Sequence, residues 1–82
     1  MSKRLTSLRD DLRIAEEQLA QLADEAEDAR LRALVSETPL AEREHKNAER
    51  HATKMRAHKT TVADKIQQLE IQQDELLDKM SG

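Results

Sequence analysis

Apolar residues recur along the first half of the chain at spacings that alternate between three and four residues. The series is Leu5, Leu8, Leu12, Ala15, Leu19, Leu22, Ala26, Ala29 and Ala33. This alternation places all of them on one stripe of an α-helix, as the a and d positions of a heptad lettered a to g, with Leu5 at a. The pattern therefore predicts a long helix that packs against another helix along this stripe.

The same alternation restarts in the second half. It runs Ala41, His45, Ala48, Ala52, Met55, Lys59, Val62, Ile66, Leu69, Gln73, Leu76 and Met80. Lys59 and Gln73 are polar residues at a positions, where such residues can fix the register or the oligomeric state of a coiled coil. The alternative is that both side chains extend into water from a seam that is open on two sides. Either way, the pattern predicts a second long helix.

The interruption between the two series contains the only proline, Pro39. Proline suits the first position of a helix, and Thr38 before it is a good N-cap. Because proline disfavours helical geometry in the preceding residue, helix 1 should end near Val35 or Ser36. We predict helix 1 over about 3–35, a turn over 36–38 and helix 2 over about 39–80. The fold class is then all-α, an antiparallel two-helix coiled-coil hairpin in which residues 1–82 form a single domain.

The charge distribution supports the same fold. Residues 16–28 contain six acidic residues and no basic ones, whereas residues 46–58 contain four Lys or Arg residues and two histidines against one acid. Folding the chain back near residue 37 sets these segments of opposite charge side by side. Charge therefore favours an antiparallel return.

The flanking charges also predict a register in which the numbers of facing seam residues sum to 74, so that Leu5 faces Leu69. Flanking residues of opposite charge then become neighbours: Asp11–Lys65, Glu25–His51 and Arg32–Glu44 at g positions, and Glu16–Arg56 and Arg30–Glu42 at e positions. A slip of one heptad in either direction brings like charges together. Each exposed pair contributes only about 0.2–1 kcal/mol, so the pairs select the register and do not provide most of the stability.

Apolar residues remain without a partner at both ends of this hairpin. In the predicted register, helix 2 extends beyond helix 1 from Gln73 onward. Near the turn, Val35 and Leu40 are apolar residues off the seam, and residues of this kind often close a turn. We take six residues as candidate interaction residues: Ile71, Leu76, Leu77 and Met80 at the open end, and Leu31 and Leu34 near the turn.

Composition narrows the class of protein. The chain has 38% charged residues, 37% hydrophobic residues, no aromatic residue and a net charge of -3, which is typical of a coiled coil and not of a disordered chain. A core of this size without aromatic residues is thin. We therefore predict self-association into a four-helix assembly, with a homodimer favoured, in which two hairpins are joined at their open ends or packed side by side as a four-helix bundle. A tetramer, and a single long helix in a parallel dimer, are the alternatives.

The residues needed for most kinds of catalysis are missing. There is no cysteine for thiol chemistry or zinc binding, and there is no glycine-rich turn. His45, His51 and His58 are six and seven residues apart, whereas ligands on one helix need a spacing of three or four. We therefore predict no enzymatic activity, no cofactor and no metal site.

Location and partners follow from the same data. No apolar run is long enough for a signal peptide or a membrane span. The slightly acidic balance gives no electrostatic reason to bind nucleic acid or an anionic membrane surface. We expect a cytoplasmic protein whose partners are proteins: a second copy, or another protein bound at the open end or at the tip.

The segment Lys46-Asn47-Ala48-Glu49-Arg50-His51-Ala52 resembles the stretch just after the tip of the N-terminal coiled-coil hairpin in the Gre transcript-cleavage factors. These factors enter the secondary channel of bacterial RNA polymerase, where paired acidic residues at the tip help to hold a catalytic magnesium ion. The aligned positions here are Arg43 and Lys46, and the nearest acidic residues are Glu37, Glu42 and Glu44. The second, globular domain of the family has no counterpart in these 82 residues.

Three functions follow as expectations. The first is a non-enzymatic coiled-coil module for protein–protein interaction. The second, implied by the resemblance, is a transcription regulator whose hairpin tip enters the polymerase channel. The third is a structural subunit of a larger helical assembly.

Overall fold

Two long antiparallel helices make up the computed structural model, which describes the backbone of residues 2–81 and the side chains of residues 3–80. Helix α1 spans Ser2–Ser36 and helix α2 spans Pro39–Ser81. The rod they form measures 66 × 15 × 12 Å. The predicted all-α hairpin is confirmed. The turn is one residue shorter than the predicted 36–38, because Ser36 still belongs to α1.

The predicted seam is the line along which the helices pack. Every seam position from Leu5 to Ala33 and from Ala41 to Gln73 is buried or half-buried. Lys59 and Gln73 are half-buried, so their polar ends reach water from the margin of the seam. Beyond Gln73, the seam residues Leu76 and Met80 are exposed.

The seam differs in character between its two ends. At the open end, Leu5, Val62 and Ile66 form a buried cluster against which Leu8, Leu12 and Leu69 pack. Near the turn, the buried residues are alanines: Ala29, Ala33, Ala41 and Ala52. Because alanine has little side chain to remove from water, most of the burial energy lies at the open end.

The turn consists of two residues, each with a capping role. Glu37 has a left-handed backbone (φ 51°), and its N–H donates to the carbonyl of Ala33 at 3.0 Å, which closes the C-terminus of α1. The Thr38 hydroxyl accepts from the N–H of Ala41 at 3.2 Å and caps α2, as the sequence predicts. Glutamate in place of the usual glycine means that the turn carries backbone strain.

The flanking residues agree with the register on one side of the seam and correct the predicted pairs on both. Among the ion pairs of residues 3–76, the predicted g pairs Asp11–Lys65, Glu25–His51 and Arg32–Glu44 do not occur. On the g side, Glu25, Arg32, Glu44 and His51 line one groove, as the 74 register requires. On the e side, within residues 3–76, the ion pair that joins the helices is Arg9–Glu70 at 3.3 Å. The predicted pairs Glu16–Arg56 and Arg30–Glu42 are absent from the ion pairs of this segment.

The direction of the side chains explains the difference. Residue numbers sum to 79 for Arg9–Glu70, whereas they sum to 72 for the predicted e pairs. Side chains on a helix tilt toward its N-terminus. In an antiparallel pair, this tilt brings together residues whose numbers sum to more than 74 and separates those whose numbers sum to less.

Relief of strain at the turn gives the first prediction. Replacing Glu37 by glycine should raise the free energy of unfolding by about 0.5–1 kcal/mol, because glycine has no Cβ to clash in the left-handed region. Thermal melts at one protein concentration measure the effect. As a control, Glu44→Gly, at an exposed helical position, should destabilise by about 1 kcal/mol. A lower melting temperature for Glu37→Gly would contradict the turn geometry.

The Arg9–Glu70 pair gives the second prediction. At low salt, Arg9→Glu should lower stability by about 0.2–1 kcal/mol, and Arg9→Glu combined with Glu70→Arg should restore it. The control combines Arg9→Glu with Asp74→Arg, which makes the same change in net charge away from Arg9. Equal recovery with both second substitutions would show that net charge, and not this contact, is responsible.

Candidate interaction surface at the open end

Helix α2 is longer than α1, and the excess lies at the open end of the hairpin. The helices contain 43 and 35 residues, so α2 is longer by about 12 Å at ~1.5 Å per residue. Because the turn holds one end of each helix at the same level, α1 covers α2 only up to about residue 72 in the 74 register. The last turns of α2 therefore have no helix beside them within the described chain.

Three apolar side chains on this uncovered segment are exposed, increasingly so with distance from α1. The exposed fraction is 44% for Leu76, 62% for Leu77 and 84% for Met80. Leu76 and Met80 continue the d and a positions that are covered along the rest of α2. We call Leu76, Leu77 and Met80 the open-end strip. Leu76 and Met80 therefore lie on a part of the seam that α1 does not cover.

A groove lies where α1 ends and the strip begins. It encloses about 170 Å³ and is lined by Arg4, Leu5, Leu69, Gln72, Gln73 and Leu76. Its lining combines three leucines with one arginine and two glutamines. The apolar surface of the hairpin is therefore continuous from the buried cluster around Leu5 to the open-end strip.

Ile71 does not share a face with this strip. Met80 lies nine residues further along, or two and a half helical turns, which places the two side chains on opposite sides of α2. Ile71 is 49% exposed on the face that points away from α1. The candidate residues of the open end are thus brought together only in part: Leu76, Leu77 and Met80 adjoin, and Ile71 stands apart.

The candidate residues near the turn form a second surface. Leu31 and Leu34 lie on the outer face of α1 together with Val35, at helical spacings of three and four. All three are exposed, as is Leu40 in the first turn of α2. Hydrogen bonds close the turn, and Val35 and Leu40 face solvent instead of packing across it. We call Leu31, Leu34 and Val35 the tip patch.

The two surfaces cannot form one site, because they lie near opposite ends of a rod 66 Å long. One further exposed apolar residue, Ile14, lies between them on α1 and is not among the residues predicted from sequence. Its position off the heptad stripe was the signal that could have identified it.

Between the two ends, apart from Ile14, the large exposed side chains described are charged or polar. Arg30 donates hydrogen bonds to Glu27 one turn earlier. Hydrogen bonding to Arg30 holds the pKa of the Glu27 carboxyl below its ordinary value. The same bond raises the pKa of Arg30, and the charge of Glu49 across the seam raises it further. His45 Nε2 lies 2.9 Å from Glu49 Oε1. The Arg30–Glu27 pair is an exposed surface contact of the kind that contributes little to stability, whereas His45 is a half-buried seam residue.

No group of three or more His, Cys, Asp or Glu side chains among the described residues could hold a metal ion. Neither helix, over the described range, contains a stretch long and apolar enough to cross a bilayer.

Comparisons with protein-family models, with curated proteins and with solved structures found no match. The resemblance of residues 46–52 to the Gre factors gains no support from them. The open-end strip therefore has to be interpreted from its own geometry and chemistry.

Proposed function

We propose that this chain is a non-enzymatic module for protein–protein interaction that forms a homodimer through the open-end strip. The observation that carries the proposal is the exposure of Leu76, Leu77 and Met80 on a direct continuation of the packed seam. Everywhere else on α2, the same heptad positions are covered by α1. The simplest means of covering the strip is another helix with the same heptad pattern.

At the favourable end of both ranges, the energy available is enough for weak dimerisation. A fully buried Leu or Met side chain contributes about 1.5–3 kcal/mol, and the three residues of the strip are exposed by 44%, 62% and 84%. Burying what remains exposed in two copies therefore contributes on the order of 6–11 kcal/mol, against about 4–15 kcal/mol for the cost of association. The most favourable combination, about 11 kcal/mol from burial against about 4 kcal/mol for association, corresponds to a dissociation constant of about 10 μM.

A second copy suits the strip better than an unrelated partner does. A two-fold interface needs one surface that is complementary to itself, and a short seam with Leu at d and Met at a meets that need when two copies run antiparallel. The thin core of the hairpin, which contains no aromatic side chain, also gains from any added packing. The proposal includes a cytoplasmic location, and it assigns neither nucleic acid nor a membrane as partner.

The tip patch supports a second candidate, a structural subunit. If the tip patch of one copy bound the open-end strip of the next, the contact would be head-to-tail and would generate open chains instead of closed dimers. The two candidates differ in which end of the rod they require. Substitutions at one end at a time therefore separate them.

The third prediction tests the strip. Leu76→Lys combined with Leu77→Lys should produce a monomer of lower helicity, because two charged groups replace the apolar contact surface. The unaltered chain should sediment as a dimer at high micromolar concentration, with a melting temperature that rises with protein concentration. Sedimentation velocity and circular dichroism over a range of concentrations measure both effects.

The matched control is Leu34→Lys combined with Val35→Lys, which makes the same change on the tip patch. The homodimer proposal predicts that this control remains dimeric. If instead both double variants dissociate a larger assembly, the structural subunit is supported. An unaltered chain that sediments as a monomer at high micromolar concentration and melts cooperatively would overturn the homodimer.

A further inference from the structure

The geometry of the open end restricts how a second copy can bind, provided that the proposed homodimer forms. Helix α1 occupies the seam of α2 up to about residue 72, so a partner helix can reach the open-end strip only from beyond the end of α1. The uncovered segment is about 12 Å long at 1.5 Å per residue, which is little more than two helical turns. The contact is therefore short and lies at the extreme end of the rod.

This restriction also sets the direction of the partner. If two α2 helices ran parallel at the strip, residues 39–72 of the second copy would lie where α1 already packs. If they run antiparallel, the second hairpin extends away from the first, and its α2 ends close to the point where α1 begins. The two copies must therefore be joined end to end, with their tips pointing in opposite directions.

The heptad pattern then selects the register. Placing Leu76 against Met80 of the second copy pairs a d position with an a position, and the two-fold axis repeats the pair. In this arrangement, the numbers of facing seam residues sum to 156. A slip of one heptad toward α1 would set the polar Gln73 against Leu76 and drive Met80 of the partner toward the first turns of α1.

We infer that a second copy binds antiparallel to residues 73–81, in this register, so that its α2 continues the line of α1 and extends the two-stranded coiled coil through the joint. The two seam residues of the strip, Leu76 and Met80, are then covered, and Leu77 at an e position flanks the joint. The joint is a continuation of the α1–α2 seam and not a new kind of interface.

The charges around the strip are compatible with this joint. Asp74, Glu75 and Asp78 occupy b, c and f positions, which point away from the seam, so the joint brings no acidic residues together. Lys79 at g approaches its own symmetry mate and forms the one like-charged pair. Its long side chain can turn outward into water, which limits the cost of the pair.

The consequence is a double-ended rod. Two hairpins of 66 Å that share about 12 Å span about 120 Å. The two tip patches then lie at the far ends of the dimer. A dimer of this shape would act as a spacer with two identical ends.

Small-angle scattering of the unaltered chain, at concentrations where sedimentation shows a dimer, gives the first test. The expected maximum dimension is about 120 Å, from two 66 Å rods with a short overlap. A dimer whose maximum dimension stays near 70 Å would be a side-by-side bundle, which would overturn the inferred joint and leave the proposed homodimer standing. A monomer would overturn both.

Cysteine pairs test the direction and the register. Because the chain contains no cysteine, Leu76→Cys and Met80→Cys each introduce a single thiol. In an oxidising glutathione buffer, a mixture of the two variants should form the mixed disulfide in several-fold excess over either symmetric one. As a control, Ile71→Cys mixed with Met80→Cys should not cross-link.

Predominance of the symmetric disulfides would indicate a parallel dimer and would overturn the inference. The scattering test needs no substitution and remains decisive if these variants pair weakly.

Discussion

The alternating three–four seam is the constraint on which the rest of the structure depends. Each helix presents one apolar stripe, and neither stripe is stable in water unless something covers it. The turn at Glu37 and Thr38 lets the two stripes cover one another within one chain. Since α2 is the longer helix, the same constraint leaves its last turns uncovered, and the proposed self-association is a response to that mismatch.

Stability and geometry are divided between the two ends of the hairpin. The leucine-rich cluster around Leu5 and Ile66 supplies most of the apolar burial. The alanine-rich half near the turn supplies close packing, and its turn carries strain at Glu37. The end of the seam with the most apolar burial is therefore the end that continues into the exposed strip. Covering the strip would extend the part of the core that already contributes most of the burial energy.

The parts of the structure that were predictable from sequence depend on periodicity and local capping. The seam positions, the Thr38 cap and the start of α2 at Pro39 are of this kind. The left-handed Glu37 was not predictable, because glutamate has no preference for that conformation. The e pairs were wrong because sums of residue numbers ignore the tilt of side chains, which brings Arg9 to Glu70. Ile71 was grouped with Met80 by proximity in sequence, although the helix places them on opposite sides.

The central claim is that each chain folds back on itself along the seam, and a distance within one chain tests it most directly. Gln21 and Thr53 are exposed positions at the same level on the two helices. Spin labels on Gln21→Cys and Thr53→Cys, in a chain diluted with excess unlabelled protein, report the distance inside one molecule. The hairpin predicts about 20 Å, from helix axes ~8–10 Å apart with labels on their outer surfaces. A separation of about 48 Å, the length of 32 residues of continuous helix, would contradict it.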